Sequence, residues 1–140
     1  MRGVPLILFI ISTCALKAQQ DTLVVLNDTI NKTMDTVTAS FYAKKFEGRR
    51  CASGELFRHN KLTAAHKTLP FGTWVKVTNL SNDSVVIVKI NDRLPARSKR
   101  GIDLTLSAAK QLNFVRKGLT RVVLVAIPPP TVIEEKEKKH

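Results

Sequence analysis

The chain has 140 residues, 44% of them hydrophobic and 24% charged, which is ordinary globular composition for a single domain and excludes a multidomain enzyme within it. Its 23 Lys and Arg against 11 Asp and Glu give a formal net charge of +12, so it is drawn to polyanions, with the kind left open. Two cysteines, Cys14 and Cys51, are too few for a disulfide scaffold, and no Cys/His pair has structural zinc spacing, so stability must come from a packed core.

The chain opens with Arg2, an apolar run through Val4, Leu6, Ile7, Leu8, Phe9, Ile10 and Ile11, and the stretch Ala15-Leu16-Lys17-Ala18-Gln19. This three-part layout predicts a secretory signal peptide over residues 1–18, cleaved after Ala18. The run is short for a membrane span, which needs roughly 20 apolar residues, so no transmembrane segment is expected after cleavage. Ile11-Ser12-Thr13-Cys14 offers a competing reading as a lipoprotein box ending in a lipidated Cys14. Both routes place the protein outside the cytoplasm, in the periplasm or cell envelope.

Residues 19–37 carry Asp21, Asp28, Asp35 and Lys32, show no sustained period and read as a linker. Residues 38–127 hold 17 Lys or Arg against five carboxylates, so the basic surplus lies on the folded part. Within it Val37 to Tyr42 reads as a strand, and so does the alternating stretch Thr73 to Asn79. Ser81-Asn82-Asp83 supplies turn chemistry, and the β-branched stretch Ser84 to Asn91 completes a hairpin with the preceding strand. Ser107 can cap a short helix over Ala108 to Asn113, and Leu119 to Ile127 reads as a strand buried on both faces. Four or more strands with one short helix in about ninety residues favour an all-β, small closed barrel. Pro128-Pro129-Pro130 ends the last strand, and residues 128–140 read as a Pro-rich, charged, disordered tail.

Of the five carboxylates in the barrel segment, Asp83 fits the hairpin turn and Glu47 a solvated loop. Asp92 follows the apolar strand directly and stands where that strand leaves the barrel. An Asx turn or an ion pair with Arg93 is the plain alternative to a functional role. Asp103, in Gly101-Ile102-Asp103-Leu104, is either a buried acid that needs a partner or the cap of the following helix. Glu55 after Ser53-Gly54 is equally a loop charge or a functional group. His59 and His140 read as exposed. His66, the one titratable ring among Leu62 to Pro70, suits either a structural or a functional histidine. Cys51 reads as a packing residue.

In order along the chain, Ala39-Ser40-Phe41-Tyr42, Gly48-Arg49, Ala52-Ser53-Gly54-Glu55, the run Leu62 to Pro70, Val77-Thr78-Asn79, Asn91-Asp92-Arg93 and Ile102-Asp103-Leu104 resemble the rare lipoprotein A family. The resemblance covers residues 38–127. It implies a six-stranded double-psi β-barrel with one or two short helices, related to expansins, and lytic transglycosylase cleavage of peptidoglycan glycan strands. It further implies catalytic positions at Asp92, Glu55 and His66, with Asp103 beside the sugar. Tyr42, Lys67, Asn91, Arg93 and Trp74 are expected along the substrate, although Trp74 at a strand start suits the core equally, and Phe46 is a further aromatic for stacking. No cofactor or metal is implied. The chain departs from the family pattern at Phe41, Ala43, Cys51, Phe57-Arg58 and Leu94. An expansin-like module that binds glycan without cutting it is the alternative reading. A nucleic-acid partner, suggested by charge alone, is opposed by export and by the lack of a base-reading motif.

Overall fold

A computed structural model describes residues 34–130, together with Gly3 and residues 17–22. Residues 23–33 of the expected 19–37 linker, residues 131–140 of the expected 128–140 tail and most of the expected signal peptide lie outside the described residues. Residues 17–22 are helical. Among the described residues no helix is long and apolar enough to cross a membrane.

Six strands close into a barrel: β1 (Met34–Phe41), β2 (Thr63–His66), β3 (Trp74–Asn79), β4 (Val85–Arg93), β5 (Ile102–Leu104) and β6 (Thr120–Ile127), in the order β1-β5-β2-β4-β3-β6. Closure pairs every strand on both sides and leaves no free sheet edge. The hairpin of β3 and β4 forms as its alternation predicts, and Asp83 occupies its turn with φ of 59°. β1 starts at Met34, ahead of the expected boundary after Val37, because its first residues pair antiparallel with β6 as far as Val125. β2 and β5 carry no readable period, being four and three residues long.

The barrel interior is filled by alternate residues of each strand: Ala39, Ala64, Val75, Val77, Val86, Val88, Ile90, Ile102, Leu104, Val122 and Leu124. Helix α1 (Leu106–Gln111) contributes Ala108 and Ala109, and Phe114 meets Phe41 edge to face at 5.8 Å. The helix starts two residues before the expected position. Its cap is Thr105, buried, whose hydroxyl accepts from the Ala108 N–H and donates to the Lys61 carbonyl, a partner distant in sequence that Ser107 does not reach. Gly101 lets β5 lie against β1, since a Cβ there would stand 2.3 Å from that of Val37. Asn79, fully buried, ties the hairpin to the helix end by donating to the Leu112 carbonyl and accepting from Ser81 N–H and the Thr120 hydroxyl.

Candidate active site

The site depends on an irregularity in β4. Val86, Val88 and Ile90 face the core in alternation, and the same period continued would put Asp92 among them. Against β2, however, Ala64 aligns with Ile90 and Ala65 with Asp92. Asn91 is therefore the extra residue of a β-bulge, which re-aims the side chain that follows it. Asp92 lands on the outer face. Ala65 also aligns with Asp103 on β5, and Asp103 with Ser40 on β1. Ser40, Asp103, Ala65 and Asp92 thus form one row across four strands, with only a methyl group between the two carboxylates. Two strand spacings separate the acids by roughly 9–10 Å between Cα atoms.

A groove of about 450 Å³ opens over this row, lined by Tyr42, Phe46, Asp92, Arg93, Arg100 and Asp103 among others. Oδ2 of Asp92 accepts a hydrogen bond from the Tyr42 hydroxyl at 2.5 Å, and Oδ1 accepts from the backbone N–H of Ala52 at 2.8 Å and of Arg93 at 2.9 Å. The carboxylate is fixed on both oxygens. Asp103 is buried; it accepts from the Ser40 hydroxyl and stands 3.4 Å from the Arg100 guanidinium. It belongs to β5 and does not cap the helix.

Tyr42, expected along the substrate, lines the groove with its hydroxyl on Asp92 and its ring packed on Phe57 at 4.4 Å and Phe46 at 5.5 Å. Burial, then the bond to Asp92, push its phenol well above the ordinary value, so it keeps its proton. Arg93 lines the groove without pairing to Asp92: its guanidinium donates to the carbonyls of His66 at 3.1 Å and Leu69 at 2.6 Å and lies 4.2 Å over the Phe71 ring. Arg100 and Phe71 are the neighbours that sequence reasoning missed. Neither carried a signal in the sequence: Arg100 meets Asp103 from a non-helical stretch leading into β5, and Phe71 meets Arg93 only in the folded chain.

Glu55 and His66 are not among the described residues that line the groove. Glu55 is exposed and accepts from the Asn91 side-chain amide at 3.1 Å, with the Lys89 ammonium 3.8 Å away. Asn91 is itself buried in the bulge. Trp74 stands outside the groove lining, aligned with Lys89 and Ile127 on neighbouring strands. Lys67 is half-buried in the turn after His66. His59 is not the exposed ring expected: it is half-buried, edge-on to Phe57, with Nε2 3.2 Å from the Ala43 carbonyl. Glu47 accepts from the His59 N–H, which holds its carboxyl below the usual range, and so braces this loop. Cys51 is buried, and burial followed by the charges of Asp92 and Glu55 pushes its thiol up to about 11. Among the described residues no group of three or more His, Cys, Asp or Glu is placed to hold a metal ion.

His66 Nδ1 accepts from the N–H groups of Thr68 at 3.1 Å and Leu69 at 3.0 Å, which assigns a neutral ring with its proton on Nε2. Burial is the main cause that lowers its pKa. A proton on Nδ1 would face two amide donors. Because the folded value is depressed, the stability held in this turn is complete above the ordinary imidazole value of 6.5 and is lost as the pH falls from there through the folded value. Thermal melts should show it: acidification below pH 6.5 lowers the melting temperature of the wild type more than that of His66→Asn, whose Oδ1 accepts without titrating. Equal slopes would place the pH sensitivity elsewhere.

The profile of the family described as lytic transglycolase matches residues 34–124, the whole barrel from β1 into β6. The chain belongs to the lytic transglycolase family. It is 50% identical over 91 residues to the probable endolytic peptidoglycan transglycosylase RlpA of Treponema pallidum, covering 65% of this chain and 29% of that protein. The endolytic peptidoglycan transglycosylase RlpA of Pseudomonas aeruginosa is 49% identical over 92 residues, covering 66% and 27%. The chain therefore spans under a third of the length of these relatives. In fold it is similar to a variant of the Clavibacter michiganensis expansin solved in complex with cellohexaose, with a TM-score of 0.57 and 15% identity over 70% of this chain and 52% of that one. It is also similar to the Streptomyces papain inhibitor, with a TM-score of 0.55 and 19% identity over 68% and 94%. Of the departures expected from the sequence, Phe41, Ala43 and the buried Leu94 line the groove, and Phe57 supports the Tyr42 ring.

Proposed function

We propose that the barrel is a peptidoglycan lytic transglycosylase that cleaves glycan strands within an exported envelope protein. The observation that carries this reading is the row of two carboxylates, Asp92 and Asp103, facing one groove across Ala65. The protonated Asp92 carboxyl gives its proton to the glycosidic oxygen as the bond from that oxygen to the anomeric carbon breaks. The 6-hydroxyl oxygen of the same muramic residue then bonds to the anomeric carbon and returns its proton to Asp92. No water is consumed, the carboxyl is restored, and the product ends in a 1,6-anhydro ring. The Tyr42 hydroxyl, a donor and acceptor on Asp92 Oδ2, follows the proton, while Ala52 and Arg93 N–H groups hold Oδ1 still. Asp103, held by Ser40 and Arg100, stabilises the positive charge that grows at the anomeric carbon.

The basic surplus on the domain draws it to the anionic wall, with attraction screened over about 8 Å at physiological salt. Purified sacculi incubated with the protein should release muropeptides ending in anhydro-muramic acid, read by mass spectrometry. Salt-sensitive binding to sacculi without any such product would instead support a module that binds glycan without cutting it.

A further inference from the structure

Residues 51–55 form a strap across the end of β4. The strap is closed on itself by the Cys51 N–H bond to the Glu55 carbonyl at 2.7 Å and the Gly54 N–H bond to the Cys51 carbonyl at 2.9 Å. Gly54, at φ of 91°, supplies the left-handed residue this tight turn needs. Three strap positions then grip the bulge. The Ala52 N–H donates to Asp92 Oδ1 at 2.8 Å, the Ser53 N–H donates to the Asn91 carbonyl at 3.2 Å, and Glu55 Oε2 accepts from the Asn91 side-chain amide at 3.1 Å. A carboxylate can only accept, so the Asn91 amide nitrogen must face Glu55.

A bulge residue has no ladder partner, so its conformation depends on contacts of this kind. Asn91 is buried, and releasing its amide would leave a buried donor unsatisfied. Glu55 itself is exposed, outside the groove lining, and its ion pair with Lys89 is half-solvated and contributes little.

We propose that Glu55 is a positioning residue: acting through Asn91, it fixes the bulge that aims Asp92 into the groove, and its charge takes no part in proton transfer. This rests on the transglycosylase reading for its catalytic consequence but not for its structural one. What Asn91 requires of position 55 is an acceptor, and a glutamine oxygen supplies that as well as a carboxylate.

The test compares Glu55→Gln, Glu55→Ala and Asn91→Ala in the full chain. Release of anhydro-ended products from soluble glycan strands should stay within about threefold of wild type in Glu55→Gln. In Glu55→Ala and Asn91→Ala, kcat should fall roughly 10- to 100-fold with KM little changed, as a misplaced reacting group costs turnover more than binding. Combining the two alanine substitutions should add little to either alone. Hydrogen exchange of the Ala52 amide, followed by NMR, reads the strap without activity: it should accelerate in both alanine variants and hold in Glu55→Gln. Loss of turnover in Glu55→Gln equal to that in Glu55→Ala would make the charge itself catalytic and overturn the proposal. Unaltered Ala52 exchange in Glu55→Ala would overturn it as well. A wild type that cleaves nothing would refute the transglycosylase reading alone, and the exchange of Ala52 would still decide the role of Glu55.

Discussion

Asp92→Asn should lower the release of anhydro-ended products by about 10²- to 10⁴-fold, the range that acid–base assistance by a positioned group supplies. The substitution keeps the shape of the side chain. Its oxygen can still accept from the N–H groups of Ala52 and Arg93, and its amide nitrogen can donate to the Tyr42 hydroxyl, which then turns to accept. Melting temperature and retention on sacculi should therefore stay close to wild type while turnover disappears. The measurement is mass spectrometry of products beside a thermal melt of the same preparation. A variant that still releases anhydro ends at the wild-type rate would move the proton donor to Asp103 and remove the role assigned to the bulge.

Asp103→Asn should cost about 10²- to 10³-fold in turnover, as does removal of a preorganised electrostatic group beside developing charge. Asparagine keeps an acceptor for the Ser40 hydroxyl, and the ion pair it gives up is with Arg100, whose side chain is 44% exposed. Stability should change little, because a pair open to solvent on one side contributes weakly. Turnover and melting temperature together separate the two possible roles. A large drop in melting temperature with residual turnover per folded molecule would make Asp103 a buried structural acid instead.

The two variants test one arrangement from both sides of Ala65. Asp92 has its oxygens fixed by a phenol and two backbone donors, whereas Asp103 sits under a guanidinium and a hydroxyl. The two acids thus meet the groove with different partners, one for each of the roles the two variants separate.

Composition and charge by themselves determined a single small basic domain, and local patterning determined the β3–β4 hairpin and β6, because long alternating or β-branched runs separated by turn residues need no distant partner to be read. The motif order carried the barrel family and the candidate acids. The helix start was misplaced because Thr105 caps α1 while bonding Lys61, a neighbour only in the folded chain. The strands β2 and β5 escaped because four and three residues hold too little alternation, and they exist by pairing with β4 and β1. The direction of Asp92 was likewise decided by tertiary structure. Its own strand's period would bury it beside Ile90, and only alignment against β2, with Asn91 bulged out of register and held by the 51–55 strap, turns it to face Asp103 across Ala65. A bulge is a property of two strands at once, so no reading of one strand contains it.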